Sequence, residues 1–392
     1  MTASSAGTGE HQSITINLKA LLLMVVLTCA GLLLLSMVKQ KRQNVIPAIK
    51  REALRPLTPA FTVDRIEIIT ELKASEFKKL DAQLSEYQER AENDPAQESN
   101  AWLALEALRN DNPALDPRVA EWVRESPDSY SAHLVMAMRS FDRGWAERGG
   151  KWAADTSERQ FEEMKKYFDQ GVEEAQAALS VNPKLPMAYA LLITNQKAGG
   201  GGEDGGCERV ASEGLREVPA SFEIRVALMS CLKPRWGGTY EKMAQLAQSS
   251  QMLVRQNPRL AALKGFADAA YAETMNDQDQ YALAVRYYTR ALEKGGDYSW
   301  FYQGRADALA RLDLHNEAIE DLRRADQLWP GDADTLVWLA YNFSAMNRNN
   351  EALKEINQAG EIAGLAPFGQ RLRTTILSSL RQDDVEKLDF GD

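Results

Sequence analysis

Residues 284–291 read AVRYYTRA, residues 318–325 read AIEDLRRA and residues 352–359 read ALKEINQA. The three segments begin 34 residues apart, and each has alanine at both ends with a large apolar residue at the fifth place. Small residues at fixed places let two helices approach closely, and large ones fill the space beside them. A period of 34 residues with this pattern predicts stacked helical hairpins.

The same 34-residue step recurs outside these three segments. Two further sets keep it: Ala272, Ala306 and Ala340, and Met275, Leu309 and Phe343. The pattern over Gly265–Gly364 resembles the tetratricopeptide repeat (TPR). Pro330 stands where that repeat often has a proline, whereas the tryptophan usual near its start is missing. The resemblance therefore implies a TPR-like fold and no particular ligand.

From residue 61 onward the sequence predicts helices and no sheet. Ala, Leu, Glu, Gln and Arg dominate, and no alternating apolar and polar run is long enough for a strand. Amphipathic stretches end at prolines, which disfavour the helical conformation of the residue before them. These prolines are Pro95, Pro113, Pro127, Pro183, Pro219, Pro258 and Pro330. The sequence predicts an all-α protein, with one transmembrane helix followed by an α-solenoid of helical hairpins.

A second resemblance covers the segment from about Glu71 to Tyr240. Its motifs are FKKLDAQL at residues 77–84, SPDSYSAHL at residues 126–134 and PRWGG at residues 234–238. These stretches are similar to a bacterial family of uncharacterised domains that often occurs beside TPR-like repeats. The resemblance implies an all-helical, repeat-like domain, and it supplies no activity, cofactor or catalytic residue.

Near the start of the chain, residues 20–38 read ALLLMVVLTCAGLLLLSMV without a charge. Nineteen helical residues span about 28 Å, close to the hydrocarbon thickness of a bilayer. The run is longer than the apolar core of a cleaved signal peptide, and no small-x-small cleavage site follows it. A lipoprotein signal ending at Cys29 fits poorly because the apolar run continues past it. The sequence therefore predicts an uncleaved, single-pass transmembrane helix.

The side of the membrane is less well determined. Lys19 alone precedes the span, and six basic residues follow it within residues 39–55, so the positive-inside rule places the rest of the chain in the cytoplasm of a bacterium. Cys207 and Cys231 indicate the opposite side, because each lies twelve residues from the turn at Pro219 and a helical hairpin there would allow a disulfide. Two buried thiols are the alternative. The balance favours the cytoplasm only narrowly over the periplasm.

Composition and periodicity divide the chain into six segments. They are a disordered tail (1–17), the transmembrane helix (18–38), a basic juxtamembrane linker (39–60), a divergent helical-repeat domain (61–262), TPR-like repeats (263–366) and a C-terminal capping helix with a tail (367–392). The basic linker suits anionic lipid headgroups, or it only sets the topology.

The overall composition disfavours several function classes. The 392 residues include 46 Lys and Arg against 56 Asp and Glu, which gives a net charge of −10. This acidic balance argues against a nucleic-acid binder and favours basic partners. Three histidines and three cysteines are too few for a multi-histidine metal enzyme or a disulfide-rich scaffold. Because signature motifs of hydrolases and nucleotide-binding proteins are also missing, no catalytic residue, metal or cofactor is predicted.

Two stretches rich in arginine and tryptophan are the candidates for partner binding. The first lies on and after a helix that Ser129 would cap and that is expected to end near Phe141. The candidate residues are Arg139, Arg143, Trp145, Arg148, Arg235 and Trp236. Arginine and tryptophan are enriched at interface hot spots, and together they suit a carboxylate or a peptide terminus. Alternatively, the tryptophans fill gaps between hairpins and the arginines pair with carboxylates such as Asp142.

Two hypotheses about function follow. The first is a membrane-anchored helical-repeat scaffold or adaptor that binds a protein or peptide through the solenoid surface, without catalysis. The second is a hydrolase-like enzyme of the cell envelope with a site around His133 and Arg139. A lone histidine on a helix is more often a packed, hydrogen-bonded side chain, so the scaffold is the expected function. The identity of the partner and self-association do not follow from the sequence.

Overall fold

The computed structural model describes residues 60–109, 112–150, 155–199 and 205–389, with side chains as far as residue 382. Every regular element in these ranges is a helix. The predicted transmembrane segment, residues 20–38, lies outside the described residues. Among the helices that are described, none is both long enough and apolar enough to cross a bilayer.

Seventeen α-helices follow one another through the described ranges, joined by short turns and 3-10 helices. The first ten are α1 (Arg65–Lys73), α2 (Phe77–Asn93), α3 (Glu98–Glu106), α4 (Asp116–Glu125), α5 (Tyr130–Arg148), α6 (Glu158–Val181), α7 (Pro186–Ala198), α8 (Gly206–Glu217), α9 (Phe222–Cys231) and α10 (Tyr240–Ser250). The others are α11 (Leu263–Asp277), α12 (Tyr281–Gly295), α13 (Ser299–Ala310), α14 (His315–Leu328), α15 (Ala333–Ala345), α16 (Asn349–Ala363) and α17 (Pro367–Asp389). Successive helices pack on one another, as in a solenoid.

Three helix pairs, α11–α12, α13–α14 and α15–α16, form the repeats that the 34-residue period predicts. All residues of the five repeating sets are buried. The turn inside each pair repeats as well, because Asp279, Asp313 and Asn347 all adopt left-handed φ angles of 58–59°. Asp and Asn tolerate this conformation better than most residues that carry a side chain. The prediction of an all-helical, TPR-like fold is therefore confirmed.

Helices α5 and α6 cross closely because each has a glycine where the other has a phenylalanine. A Cβ atom on Gly144 would lie 2.6 Å from the ring of Phe168, and one on Gly171 would lie 2.8 Å from the ring of Phe141. The prediction that α5 ends near Phe141 was wrong. The helix continues through Gly144, which this close contact requires, and ends at Arg148, followed by Gly149 with a φ of 76°.

A buried carboxylate joins three parts of the chain that are distant in sequence. Glu98 on α3 accepts hydrogen bonds from the backbone N–H groups of Phe222 (2.7 Å) and Glu223 (3.3 Å), from the hydroxyl of Ser221 and from Nδ2 of Asn257 (2.9 Å). The free N–H groups at the start of α9 stabilise this negative charge. Burial nevertheless raises the pKa of Glu98. The carboxylate fixes α3, α9 and the segment before α11 relative to one another.

Residues near the start of the described chain also meet the end of the second repeat. Glu106 Oε2 accepts hydrogen bonds from Arg65 Nη2 at 3.0 Å and from Trp329 Nε1 at 2.8 Å. The ring of Phe61 packs edge-on against Trp329 with centroids 5.4 Å apart. Helices more than 200 residues apart in sequence therefore line a common space.

Helices α8 and α9 form the hairpin that was predicted around Pro219. Cys207 on α8 and Cys231 on α9 are joined in a disulfide, with Cα atoms 6.6 Å apart, and both are fully buried. This separation lies within the usual range for a disulfide.

Candidate functional site

A cleft of about 350 Å³ lies where α3, α9, α11 and α13 approach one another. We call it the central cleft, and its principal lining residues are Trp102, Glu106, Glu223, Ser230, Lys233, Arg259, Phe266, Tyr298, Trp300 and Trp329. Several aromatic rings with a few charged groups are typical of a binding site, because the rings supply apolar contact area and the charges fix orientation.

A groove of about 420 Å³ continues from the central cleft, with which it shares Trp300, Gln303 and Asp332. We call it the acidic groove. Five carboxylates line it, from Glu273, Asp277, Asp307, Asp332 and Asp334, together with the rings of Tyr288, Trp300 and Trp338 and the guanidinium of Arg235. Most of these residues lie on or next to α11, α13 and α15, the first helices of the three repeats.

The contacts of these carboxylates leave the groove with a surplus of negative charge. Glu273 pairs with Lys233 at 2.5 Å, whereas Asp277 and Arg235 are 3.7 Å apart on the exposed rim. Asp332 accepts the backbone N–H of Thr335 at 3.0 Å and thereby caps α15. Asp307 lies 3.6 Å from Nε of Arg311. Five carboxylates thus face three cations here, so the groove keeps a surplus of negative charge and attracts positive groups.

The floor of the central cleft is a buried ion pair between Arg259 and Glu223. Arg259 is 3% exposed, and its guanidinium lies 4.2 Å from the ring centroid of Phe222 and 5.3 Å from that of Trp329. Its Nη1 donates to the carboxylate of Glu223. Burial raises the pKa of Glu223 to about 7 in spite of Arg259, and the charge of Glu98 acts in the same direction. Burial therefore favours the protonated form of Glu223 more than water would.

Two tryptophans meet beside the central cleft, with a lysine between them. The ring centroids of Trp145 and Trp236 are 6.3 Å apart, and Nζ of Lys197 lies 5.7 and 5.3 Å from them. The same ammonium donates to the hydroxyl of Ser230 at 3.2 Å, and Ser230 also lines the cleft. We call these four residues the Lys197 pocket. The indole faces stabilise the cation through their quadrupoles.

Three of the six predicted partner-binding residues lie at this place. Trp145 and Trp236 are half-buried, and the guanidinium of Arg235 lies 5.7 Å from the ring centroid of Trp236. The PRWGG motif makes a 3-10 turn in which Gly237 has a φ of 83°. These side chains were predicted from their residue types, but nothing in the sequence indicates that the two separate motifs meet.

The other three predicted residues make different contacts. Arg139 Nε donates to Asp116 at 2.7 Å, and Arg143 Nη2 donates to the second oxygen of the same carboxylate at 2.7 Å. Arg148 lies over the ring of Phe161, 5.9 Å from its centroid. Arg139 and Arg143 thus lie together on Asp116, whereas Arg148 and Trp145, the other two candidates on α5, contact different groups.

The alternative site around His133 and Arg139 is also divided by the helix geometry. His133 bonds through Nδ1 to Glu174 at 2.6 Å and through Nε2 to the carbonyl oxygen of Pro127 at 2.9 Å. An α-helix has about 3.6 residues per turn, so the side chains of His133 and Arg139, six residues apart, point in directions that differ by roughly 120° around the helix axis. His133 thus joins α5 to α6, whereas Arg139 faces α4. Among the residues described, no group of three or more His, Cys, Asp or Glu is arranged to hold a metal ion.

Most of the lining of the cleft and groove, including Trp300 and Trp329, was not predicted from the sequence, and neither was Lys197 beside the cleft. One signal was present in the repeat register. Glu273 and Asp307 stand 34 residues apart, as do Phe266, Trp300 and Asp334. These positions belong to the groove-facing side of the first helix in each repeat. Following the register at exposed positions, and not only at buried ones, would have located the groove.

Comparison with known families gives a partial match. Residues 65–202 match the model of a domain of unknown function, DUF4034. This supports the expected resemblance to an uncharacterised domain over α1–α7. The match ends before PRWGG at residues 234–238, so the motif and the expected extension to Tyr240 lie outside it. No curated protein matches the chain.

Three solved structures illustrate the similarity in fold. Yeast Tom70 is 15% identical over 95% of this chain and 77% of its own, with a TM-score of 0.45. YrrB, a TPR protein with an unusual peptide-binding site, is 14% identical over 52% of this chain and 99% of its own, with a TM-score of 0.29. The first TPR of Spaghetti (RPAP3), bound to the HSP90 peptide SRMEEVD, is 18% identical over 31% and 95%, with a TM-score of 0.30.

Proposed function

We propose that this chain is a helical-repeat scaffold that binds a basic segment of a partner protein in the acidic groove and the central cleft. The observation that carries the proposal is the surplus of carboxylates beside the rings of Trp300 and Trp338. Arginine and lysine side chains form charge-assisted hydrogen bonds with carboxylates and stack on indole faces. The same groove gives no comparable site for an acidic segment.

The charge of the whole chain supports a basic partner. With a net charge of −10, the protein attracts cationic segments from a distance and repels anionic ones. Attraction of this kind is screened by salt, with a Debye length of about 8 Å at 0.15 M ionic strength. Binding is therefore expected to weaken as salt is raised.

We also propose that residues 20–38 anchor the scaffold in a bacterial inner membrane. The uncharged run and the basic residues that follow it support this proposal. The positive-inside rule supports a cytoplasmic scaffold, whereas the Cys207–Cys231 disulfide supports an oxidising compartment. A reporter active only in the periplasm, fused after Asp392, distinguishes the two, because activity places the repeats outside the cytoplasm and inactivity places them inside.

The groove is tested with the full-length protein in detergent and the peptide acetyl-Arg-Lys-Arg-Ala-Ala-amide, by calorimetric titration. The triple variant Asp277→Asn, Asp307→Asn and Asp334→Asn removes three groove charges at nearly constant shape. At about 0.5 kcal/mol for each exposed ion pair, we expect affinity to fall roughly tenfold.

The matched control removes three exposed carboxylates outside the groove, with Glu158→Gln, Glu162→Gln and Glu293→Gln. This control changes the total charge by the same amount as the groove variant. Because its three carboxylates lie outside the groove and are screened by salt, we expect it to alter affinity by less than about twofold. An equal loss in both triple variants, or no binding to the wild type, would contradict a groove-specific site.

A further inference from the structure

The ammonium of Lys197 lacks a carboxylate partner among the residues that the structure describes. Its contacts there are the hydroxyl of Ser230 and the faces of Trp145 and Trp236. Indole faces and a hydroxyl stabilise a cation less than an ionised carboxylate does. The neighbouring Lys233, in contrast, has a carboxylate at 2.5 Å.

The surroundings of Lys197 destabilise its positive charge, because no carboxylate among the described residues pairs with it. Burial, together with the positive charges of Lys233 and Arg235, lowers the pKa of Lys197 to about 8, while the charge of Glu273 opposes them. Three cations therefore converge at the end of the cleft, and two of them already have acidic neighbours. An anion placed beside Lys197 would favour its charged form and so offset the effects of burial and of the neighbouring positive charges.

The Lys197 pocket is also continuous with the binding surface. Ser230 lines the central cleft and bonds to Lys197, and Lys233 lines the same cleft with Nζ 4.9 Å from the ring centroid of Trp300. Trp300 belongs to the acidic groove as well. The surface thus has a positive end at Lys197 and a negative stretch along the groove.

We propose that the Lys197 pocket binds a carboxylate of the partner segment, so that one ligand pairs an anionic group with Lys197 and cationic side chains with the acidic groove. This inference rests on the proposed function and adds the direction in which the partner segment lies, with its anionic group at Lys197 and its cationic side chains in the groove. The carboxylate comes from the end of the peptide or from an acidic side chain, and the two sources are separated by the choice of probe.

The experiment compares three peptides on the full-length protein at pH 7. The first is acetyl-Arg-Lys-Arg-Ala-Ala with a free terminal carboxylate, the second is its amide, and the third is acetyl-Arg-Lys-Arg-Ala-Glu-amide. A charge-assisted hydrogen bond in a half-buried site is expected to improve affinity about tenfold over the plain amide. A gain for the first probe indicates a terminal carboxylate, and a gain for the third indicates an acidic side chain.

Two variants at residue 197 test the role of its ammonium group. Lys197→Met is expected to abolish the gain of the carboxylate probes over the plain amide, whereas Lys197→Arg is expected to retain that gain. For the wild type the gain is expected to disappear between pH 7 and pH 9.5, as Lys197 loses its proton, while Lys197→Arg keeps it.

Three outcomes would overturn the inference. Equal affinity of all three probes would reject the carboxylate pocket and leave the proposed function standing, whereas failure of all three to bind would reject both. A gain seen only in Glu203→Gln with Asp204→Asn would show that carboxylates of the chain itself, close to Lys197 in sequence, already serve the pocket.

Discussion

The TPR-like repeats of residues 263–363 and the preceding segment of residues 65–262 are stabilised by contacts of different sequence separation. In the repeats, the buried ion pair of Arg305 and Asp321 joins two helices of one hairpin across 16 residues. In the preceding segment, Glu98 reaches Asn257 across 159 residues. Where contacts are local, the free energy of unfolding is approximately a sum of contributions from each repeat and from its interfaces with its neighbours. Long-range contacts instead couple the stability of segments that are distant in sequence.

The largest expected effect breaks a long-range tie. Arg259→Met leaves the carboxylate of Glu223 buried without its partner, which is expected to cost about 3–5 kcal/mol of the free energy of unfolding. Hydrogen exchange read by mass spectrometry should show faster exchange in α3, α9 and α11 together. The matched variant Arg305→Met should increase exchange mainly in α13 and α14. If both variants increased hydrogen exchange over equally many helices, the two regions would not differ in the way described.

The pH dependence of the free energy of unfolding tests the same buried ion pair through Glu223. Its pKa in the folded protein, about 7, lies above the ordinary value of 4.5. The stability it contributes is therefore fully present below about pH 4.5 and is lost as the pH rises through about 7. Because a tenfold difference in proton affinity corresponds to roughly 1.4 kcal/mol, Glu223→Gln should gain up to about 3 kcal/mol relative to the wild type between pH 5 and pH 8. Parallel urea-unfolding curves at all pH values would contradict this assignment.

The disulfide tests a covalent tie of intermediate range. Cys207 and Cys231 are 24 residues apart, and removing a bridge of this loop length is expected to cost about 3 kcal/mol. Thermal unfolding of Cys207→Ala with Cys231→Ala should match that of the wild type under reductant, with the loss concentrated in α8 and α9. Mass spectrometry of the unreduced protein that finds Cys207 and Cys231 as free thiols would remove the basis of this prediction.

The smallest expected effect on stability concerns repeat packing. Ala318 is fully buried, so Ala318→Leu should overpack α13 against α14 and destabilise by about 1–3 kcal/mol. Ala345→Leu, at an exposed position of the next repeat, is the control and should change stability by less than about 0.5 kcal/mol. Similar urea midpoints for the two variants would show that the 34-residue pattern does not set the packing.

The difference between the regions also explains how far the sequence could be interpreted. A repeated pattern is visible because Ala284 and its equivalents meet the same packing requirement three times. Gly144 meets a packing requirement only once, against Phe168, so the helix was expected to end near Phe141, before this glycine. The helices of both regions were recognised, but the closeness of one crossing was not.

The binding surface was harder to predict because its residues converge from separate helices. Trp145 and Trp236 were selected individually for their residue type, yet Lys197 joins them only in three dimensions. Trp329 marked merely the end of a helix in the sequence, although it closes one side of the central cleft. Contacts between residues about 90 or more apart leave no periodic signal in a single sequence.

The central claim is that the groove side of the repeats, and not the opposite side, receives the partner. It is tested most directly by a photo-crosslinking peptide, acetyl-Arg-Lys-Arg-Ala-Ala-amide with benzophenone at one alanine, followed by mass spectrometry of the crosslinked full-length protein. We expect crosslinks on α11, α13 and α15 near Trp300 and Trp338, and their loss in the triple variant of the groove. Crosslinks concentrated on the outward surfaces of α12, α14 and α16, unchanged in that variant, would contradict the claim.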